Sequence, residues 1–324
     1  MSTCCWRRKL SKNYHAFELH CHTNHSDGDM TPAQLVDNAV KKAYDGIAVT
    51  DHNTDSAAQE VYELGKQKGL FVIKGIEWTT FYGHLTAMGG NNDIDWREIN
   101  KDNIDHILKR AYDNGVVVVI AHPKRYGTPV CTGCYLDLPI TAYEYVAAVE
   151  VWSQKNPHLS YFNEKAIQFY DNLLRKGYKL AAVYGYDWHR EDKQQRIFAM
   201  TRVGGKVQDA LEAIKKGDTY VSLGLYCELF DGGKRLPFGA VIDKGVHSLE
   251  LKISQSHKHI YDKYAVIPQE ILLTGSALKE DVRAKIGKAV EVNLDGGYLR
   301  FEVMGEAQGI KNCRLLLTSP IYIQ

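Results

Sequence analysis

The sequence of 324 residues lacks both a long apolar run and an excess of charge of either sign. No stretch approaches the ~18 consecutive apolar residues that a membrane-spanning helix needs, so we expect no membrane partner. Forty basic and thirty-nine acidic residues give a net charge of +1, which argues against bulk nucleic acid as a partner. The basic residues near the start are not followed by an apolar segment, so no signal peptide is predicted.

Cysteines are few and scattered, and their number, seven, is odd. A secreted disulfide framework is normally denser and even in number, so we expect a protein of the reducing cytoplasm. Cys131 and Cys134 have CxxC spacing without a second pair, which favours a loop with two free thiols over zinc or redox chemistry. The sequence also contains no G-x-S-x-G motif, so a serine hydrolase is not supported.

Short β-rich segments alternate with helical patterns over residues 15–222, which predicts an α/β fold with a parallel sheet. The expected strands are Phe17–His22, Gly46–His52, Leu70–Glu77, His84–Met88, Val116–His122, Ala148–Trp152 and Leu180–His189. The clearest helix starts at Thr31 as N-cap with Pro32 in its first turn. Its apolar face, at helical spacing, consists of Leu35, Val36, Ala39, Val40 and Ala43.

After Tyr220 the pattern changes to an alternation with period two, which predicts β-strands. The clearest runs are Ser248–Ser254, Ala289–Leu294 and Tyr298–Val303. Asp231–Gly233 and Asp295–Gly297 look like hairpin turns. We therefore expect three regions: a disordered or loosely attached N-terminus at residues 1–14, an α/β domain at 15–222 and a small all-β domain at 223–324.

Side chains of the types that bind metal ions recur at the ends of the expected strands. They are His20, His22, Asp51, His52, Glu77, His84, His122, Glu150, Asp187 and His189. In a barrel of parallel strands the carboxyl ends converge on one face. Residues i and i+2 of a strand point to the same side, so we expect His20 with His22, and Asp187 with His189, each to hold one ion together. Asp51 could be a ligand or an acceptor that orients a ligating imidazole.

These segments, in this order and spacing, resemble the PHP superfamily, named for polymerase and histidinol phosphatase domains. The segments are Glu18–Thr23, Ser26–Gly28, Val49–Thr54, Gly75–Thr79, Gly83–His84, Ala121–Tyr126 and Gly185–His189. The resemblance covers about residues 15–222 and implies a distorted (β/α)₇ barrel with a metal-dependent hydrolase activity. Glu77-Trp-Thr followed by Gly83–His84 is most similar to the carbaryl-hydrolase-like branch, which often carries a trailing β domain.

Carried over position by position, the resemblance implies two or three divalent ions, of manganese, iron or zinc. The first ion would be held by His20, His22, Glu77 and Asp187. The second would share Glu77 and bind His84 and His122. The third would be held by Asp27, His52 and His189. The loop that supplies His84 varies in length, so a dinuclear centre stays open if this side chain points away.

The leading hypothesis is hydrolysis of a phosphoester in a small phosphorylated metabolite or nucleotide by a metal-bound hydroxide. Arg125 and Arg190 closely follow His122 and His189, and either is a phosphate clamp or an ordinary surface residue. Two alternatives stay open: carbamate, ester or amide hydrolysis by the same ions, and a non-catalytic, metal-stabilised binding protein. A homo-oligomer is also compatible with the sequence.

Overall fold

The computed structural model describes residues 13–127, 129–191, 199–255 and 266–324. Its helices are α1 (Pro32–Lys41), α2 (Ala58–Lys68), α3 (Ile104–Asp113), α4 (Tyr161–Arg175) and α5 (Ala210–Lys216). The first nine strands are β1 (Tyr14–Cys21), β2 (Gly46–Val49), β3 (Phe71–Thr80), β4 (Gly83–Met88), β5 (Val117–Ile120), β6 (Ala148–Ser153), β7 (Ala181–Gly185), β8 (Met200–Gly204) and β9 (Thr219–Ser222). The later strands are β10 (Leu225–Asp231), β11 (Lys234–Leu236), β12 (Val241–Ile242), β13 (Gly245–Gln255), β14 (Val266–Thr274), β15 (Val282–Lys285), β16 (Val290–Leu294), β17 (Gly297–Ala307), β18 (Ile310–Thr318) and β19 (Ile321–Ile323).

The N-terminal segment expected at residues 1–14 falls mostly outside the described ranges, which begin at Asn13. The last residue of that segment, Tyr14, already belongs to β1. The longest helix, α4, has 15 residues. In the described ranges no helix combines the length and the apolar character that crossing a bilayer requires.

Strands β1 to β7 neighbour one another in the sheet in the same order as in the chain. The pairs β1–β2, β2–β3, β5–β6 and β6–β7 are parallel, as the alternation of strands and helices predicts. The parallel prediction is wrong at β4, which runs antiparallel to both β3 and β5. Only Phe81 and Tyr82 separate β3 from β4, and such a short turn can join only antiparallel strands.

The sheet curves until the segment that follows β7 lies beside β1. The backbone N–H of Trp188 donates to the carbonyl of His20 at 2.9 Å, and the N–H of His22 donates to the carbonyl of Trp188 at 3.0 Å. One buried apolar cluster contains side chains from each of β1 to β7 and from α5. A second cluster packs α1 and α2 against β1, β2 and β3. The α/β class is confirmed, whereas the distorted (β/α)₇ barrel stays a prediction.

Several expected strands end earlier than their apolar patterns predict. β2, β5 and β7 end at Val49, Ile120 and Gly185, so the site residues that follow them lie in loops. His122 and Asp187 have φ angles of 27° and 57°, in the left-handed region that side chains with a Cβ disfavour by about 1–3 kcal/mol. The i, i+2 rule for strands therefore does not apply to Asp187.

Helix α1 has the N-terminus that its sequence predicts. The hydroxyl of Thr31 accepts from the backbone N–H of Gln34, and the Gln34 amide oxygen accepts from the N–H of Thr31, which completes a capping box. Such a cap contributes about 1 kcal/mol. The helix ends at Lys41, so Ala43 lies beyond it and Val40 is 42% exposed, and the apolar face is narrower than expected.

After α5, the described residues form strands and no helix. β10, β11, β13 and β16 make a separate antiparallel sheet of four strands, whereas β18 pairs with β9 and so extends the large sheet. Asp231–Gly233 joins β10 and β11 as a hairpin, as predicted. The hairpin prediction is wrong for Asp295–Gly297, because β16 and β17 belong to different sheets. The boundary at residues 222 and 223 stays a prediction.

Candidate metal centre

Glu77, which is fully buried on β3, lies among five imidazoles. Its Oε2 lies 3.2 Å from His20 Nε2, 3.5 Å from His22 Nε2 and 2.8 Å from His52 Nδ1, and its Oε1 lies 3.1 Å from His84 Nδ1 and 3.3 Å from His122 Nε2. Burial alone would raise the pKa of Glu77, but the charge of His20 and hydrogen bonds from the neighbouring imidazoles hold that pKa well below its usual range.

A first cluster of possible ligands forms around Asp187. Asp187 Oδ1 lies 3.2 Å from His22 Nε2 and 3.6 Å from His20 Nε2. With Glu77, these three residues offer ligand atoms that all lie within 4.8 Å of one another. The structure thus brings together the four residues that the family resemblance assigns to the first ion.

A second cluster contains Asp27, His52 and His189, the set that the resemblance assigns to a third ion, and adds His22. Asp27 Oδ1 lies 3.1 Å from His189 Nε2, 3.6 Å from His52 Nε2 and 3.9 Å from His22 Nδ1. The Asp27 side chain is 60% exposed, so this side of the centre opens to solvent. Asp187 and His189 belong to different clusters, although His189 Nδ1 lies 3.4 Å from Asp187 Oδ1, so the expectation that they hold one ion together stays a prediction.

The third cluster is formed by His52, Glu77 and His84. His84 points towards the centre, because β4 places its Nδ1 3.1 Å from Glu77 Oε1. His122 contacts the same oxygen but does not join this cluster, although the resemblance assigns it to the second ion. Its Nδ1 lies 3.2 Å from the carbonyl oxygen of Cys134.

The residues present fit divalent metal ions. Buried ligand-type atoms of the centre have no hydrogen-bond partner in the described structure, namely His20 Nε2, His22 Nδ1 and Nε2, Glu77 Oε2 and His84 Nε2. Leaving a buried polar atom unsatisfied costs about 1–3 kcal/mol. Imidazole nitrogens together with carboxylate oxygens are the donor set that zinc, iron and manganese accept. The centre is therefore built to bind divalent ions.

The structure corrects the position expected for Asp51. Its Oδ1 accepts from the backbone N–H of Thr23 at 2.7 Å and from the Ser26 hydroxyl at 2.6 Å, and its Oδ2 accepts from the Thr23 hydroxyl at 2.8 Å. Asp51 belongs to none of the three clusters and makes no hydrogen bond to an imidazole among the described residues. The hydrogen bonds of Asp51 thus go to the loop that leads to Asp27, and its role as a ligand stays a prediction.

Arg125 and Arg190 line one cavity of about 550 Å³, whose wall also includes Asp187 and His189. Arg125 forms an ion pair with Asp187. The Arg190 side chain is 76% exposed, and its Nε lies 4.0 Å from Asp29 Oδ2. Both arginines therefore face the cavity beside the metal centre, but only Arg125 contacts a cluster carboxylate.

Cys131 and Cys134 form a disulfide in the loop that packs against the centre, so the prediction of two free thiols is wrong. Their Cα atoms are 5.6 Å apart, within the range that disulfides span. The backbone at Gly133 runs close to His84, because a Cβ at that position would lie 3.1 Å from His84 Nε2. The CxxC loop thus covers one side of the centre.

Sequence reasoning assigned no role to two buried glutamates behind the centre, although it noted Glu150 near the end of a strand. Glu150 contacts His20 Nδ1 and the backbone N–H of His122, and Glu18 accepts from the backbone N–H groups of His20 and Tyr186. Burial raises the pKa of Glu18 well above its usual range. The available signal was a carboxylate between apolar residues of a buried strand, as in Val149-Glu-Val151.

Comparison with known proteins identifies the family. The model of the PHP domain matches residues 18–179, which is half of the chain. The chain belongs to the PHP domain family. Most of the possible ligands of this PHP protein lie inside the matched range, whereas Asp187 and His189 follow it and are placed by the structure.

Curated relatives share short segments with this PHP protein. The 5'-3' exoribonuclease Rnm of Escherichia coli is 37% identical over 82 residues, which cover 24% of this chain and 28% of that enzyme. The 3',5'-nucleoside bisphosphate phosphatase of Chromobacterium violaceum is 29% identical over 76 residues, covering 22% of this chain and 27% of that enzyme. The chain thus spans less than a third of the length of these two relatives.

A solved structure is similar over nearly the whole chain. It is a two-domain protein from Bacteroides vulgatus, described as containing a predicted PHP-like metal-dependent phosphoesterase. The similarity covers 97% of this chain and 98% of that chain, with a TM-score of 0.55 and 18% identity. This likeness shows a shared fold that includes the C-terminal strands.

Proposed function

We propose that this PHP protein is a metal-dependent phosphoesterase that acts on a small phosphorylated metabolite or nucleotide. One observation carries the proposal: Asp187 belongs to an imidazole–carboxylate cluster and also to the wall of the cavity that presents Arg125 and Arg190. A phosphoryl group held by the guanidinium groups would therefore lie directly beside the cluster.

The centre would hold two or three ions of manganese, iron or zinc. His20, His22, Glu77 and Asp187 would hold the first ion, Glu77 with His84 and either His52 or His122 the second, and Asp27, His52 and His189 the third. When bound, such ions activate water and withdraw charge from phosphoryl oxygens. Glu77 would be shared by the first and second ions, because its two oxygens face different sets of imidazoles.

The arginines would bind and orient the substrate. A guanidinium group can donate two parallel hydrogen bonds to a phosphate, which fixes the direction of the scissile bond as well as its position. Arg125 is half-buried, and its ion pair with Asp187 places the guanidinium group at the edge of the first cluster. Arg190 is exposed and would close on the phosphate from the solvent side.

A small substrate is favoured by the size of the cavity and by the charge of the chain. About 550 Å³ lies within the range of roughly 300–1,000 Å³ that small-molecule sites occupy. The net charge of +1 gives no overall electrostatic attraction to a polynucleotide. The names of the relatives support phosphoester chemistry, since one is a nucleoside bisphosphate phosphatase and another an exoribonuclease.

Hydrolysis of a carbamate, ester or amide by the same ions is the second candidate, and it would place this chain in the carbaryl-hydrolase-like branch. The support for it is the segment Glu77–Thr79 followed by Gly83–His84, which resembles that branch, together with the contact between His84 and Glu77. A non-catalytic metal-stabilised protein is less favoured, because Asp27, His52 and His189 leave the centre open to solvent, whereas structural metal sites are closed.

The test is a paired activity screen on protein stripped of metal and reloaded separately with manganese, iron and zinc. One arm contains phosphate monoesters and diesters, and the other contains aryl esters and carbamates, with His22→Ala as the control in both. Phosphate release that requires metal and is lost in His22→Ala is the expected result. Turnover confined to the ester and carbamate arm would overturn the phosphoesterase proposal in favour of the second candidate.

A further inference from the structure

Glu150, on β6, connects two histidines of the centre although it belongs to none of the three clusters of possible ligands. Its Oε1 lies 2.7 Å from His20 Nδ1, and its Oε2 accepts a hydrogen bond of 2.8 Å from the backbone N–H of His122. The residue is 1% exposed, so both contacts are shielded from water. One carboxylate therefore ties β1 to the loop that follows β5, on the side of His20 that faces away from Glu77.

The contact with Glu150 decides which nitrogen of His20 is available to an ion. A carboxylate accepts hydrogen bonds, so it keeps a hydrogen on Nδ1 and leaves Nε2 to offer its lone pair. His20 Nε2 lies 3.2 Å from Glu77 Oε2 and 3.6 Å from Asp187 Oδ1, without a hydrogen-bond partner. The ring is thus oriented with its free nitrogen directed at the first cluster.

The second contact of Glu150, with the backbone N–H of His122, stabilises an unfavourable backbone conformation. His122 has a φ of 27°, which a residue with a Cβ rarely adopts. Its N–H is fixed by Glu150, and its Nδ1 lies 3.2 Å from the carbonyl oxygen of Cys134. Together these contacts direct His122 Nε2 to within 3.3 Å of Glu77 Oε1.

Gly185, on β7, leaves the space that Glu150 occupies. A Cβ at this position would lie 2.1 Å from Glu150 Oε1 and 2.8 Å from His20 Cβ. Any other residue would therefore push the carboxylate away from the imidazole. The glycine is needed here for close approach, which is an observation independent of the hydrogen bonds.

We propose that Glu150 is a positioning residue that fixes the protonated nitrogen of His20 and the backbone of His122, and thereby sets the affinity of the centre for divalent ions. Glu150 would touch neither ion nor substrate, since it belongs to none of the three clusters of possible ligands. The inference rests on the metal centre of the proposed function, but it is independent of which bond is hydrolysed.

The first test is the metal affinity of Glu150→Gln, measured by competition with a chromophoric chelator for zinc and for manganese. The amide has one acceptor oxygen, so it cannot accept from both His20 and His122. We expect a loss of affinity of about 10- to 100-fold with the fold retained by circular dichroism. Glu228→Gln is the matched control, because Glu228 is also buried but lies on β10 and pairs with Arg235. It should keep the affinity of the wild type.

The second test reads the imidazole of His20 directly, by long-range ¹⁵N–¹H NMR of the zinc-loaded wild type. We expect a protonated Nδ1 and a zinc-bound Nε2. Zinc bound through Nδ1, or unchanged zinc affinity in folded Glu150→Gln, would overturn the inference.

If Glu150→Gln does not fold, the NMR result alone decides. A wild type that binds zinc tightly but hydrolyses no phosphoester would overturn the proposed function and leave this inference standing, whereas one that binds no divalent ion would overturn both.

Discussion

Arg125 and Asp187, 62 residues apart, form an ion pair that joins the cavity to the metal centre. Asp187 also lies 3.2 Å from His22 Nε2, so one carboxylate is shared between a guanidinium group and an imidazole. A cation bound beside Asp187 would compete with Arg125 for that carboxylate. Arg125 would then be free to bind an anion, so metal binding and phosphate binding are expected to reinforce each other.

Arg125→Ala is expected to lower kcat/KM for a phosphoester about 10- to 100-fold, mainly through KM. The physical reason is the loss of charge-assisted hydrogen bonds, each worth about 1.5–3 kcal/mol. Arg125→Lys should recover part of this loss, because lysine keeps the charge but not the two-pronged geometry. Steady-state kinetics on the best substrate of the screen provide the measurement.

The matched control for that experiment is Arg97→Ala, which removes an exposed arginine whose ion pair within the described ranges is with Asp95. It should leave both kinetic constants unchanged. Arg190→Ala should have a smaller effect than Arg125→Ala, since its side chain is 76% exposed. Wild-type kinetics in Arg125→Ala would remove Arg125 from substrate binding.

Glu77→Gln is expected to abolish the binding of ions to the centre, because this carboxylate contacts five imidazoles and belongs to two of the three clusters. Activity should fall at least about 100-fold. In the wild type, an ion at 100 times its Kd should stabilise the fold by about 2.7 kcal/mol, and the variant should lose this increment.

The measurement is the rise in Tm on adding zinc or manganese to stripped protein, together with metal content by mass spectrometry. Glu60→Gln, on the exposed face of α2, is the control and should respond as the wild type does. An equal rise in Tm in Glu77→Gln would show that the ions bind elsewhere.

A buried ion-pair network attaches the C-terminal strands to α4. Arg300 donates to both oxygens of Asp171, at 2.8 and 2.7 Å, and also contacts Glu302. Arg314 Nε donates to Glu302 at 2.7 Å. Burial alone would raise the pKa of Glu302, but Arg300 and then Arg314 hold it below its usual range. Glu302 is therefore charged in the folded protein and stabilises it.

Glu302→Gln is expected to lower the free energy of unfolding by about 3–5 kcal/mol at pH 7. The variant would leave Arg300 and Arg314 buried without the negative charge that compensates them. Because the folded-state pKa of Glu302 is depressed, its contribution is complete above the unfolded-state pKa of about 4.3 and is lost as the pH falls through the folded-state value. The difference between variant and wild type should therefore shrink below about pH 4.

Urea unfolding of metal-free protein at pH 7 and at pH 3.5 measures both effects. Glu270→Gln, which breaks an exposed pair with Arg283, should change the stability by less than about 1 kcal/mol and serves as the control. A Glu302→Gln protein as stable as the wild type at pH 7 would contradict the role of the network.

Truncation after Gly224 is expected to prevent folding of the remaining α/β part. β18 pairs with β9, the hydroxyl of Ser319 accepts from the backbone N–H of Ala182, and one buried cluster contains both Trp152 and Phe301. Removing the later strands would expose this core and an unpaired strand edge. Solubility, size-exclusion chromatography and circular dichroism of residues 13–224 test it, and a soluble fragment with cooperative unfolding would show that the two parts fold independently.

Much of the secondary structure could be predicted from local residue patterns. Period-two alternation marked β13, β16 and β17, and the capping box at Thr31 marked the start of α1, because both signals depend on neighbours within a few residues. The antiparallel direction of β4 could not be read in this way. Strand direction depends on which strands pair, and the short turn at Phe81 and Tyr82 was not recognised as a connection that forces reversal.

The residues of the candidate site likewise differ in whether the sequence could predict their roles. His20, His22 and Glu77 could be predicted because their residue types and the family resemblance point to metal binding. The roles of Asp51 and Glu150 could not be predicted, because the partners of these buried carboxylates are distant in the chain. The partners of Asp51 lie 25 to 28 residues away, and those of Glu150 lie 28 and 130 residues away. Only the folded arrangement shows that Asp51 holds the Thr23–Ser26 loop, whereas Glu150 contacts His20.

By itself, the sequence determined the local structure and the chemistry that is present: the α/β alternation, the β-rich C-terminal part and a set of histidines and carboxylates suited to divalent ions. Tertiary structure decided which of these side chains meet. Local backbone preferences act over a few residues, whereas the distances between Glu77 and its five imidazoles depend on how β1, β3, β4 and the loops after β2 and β5 pack around one buried core.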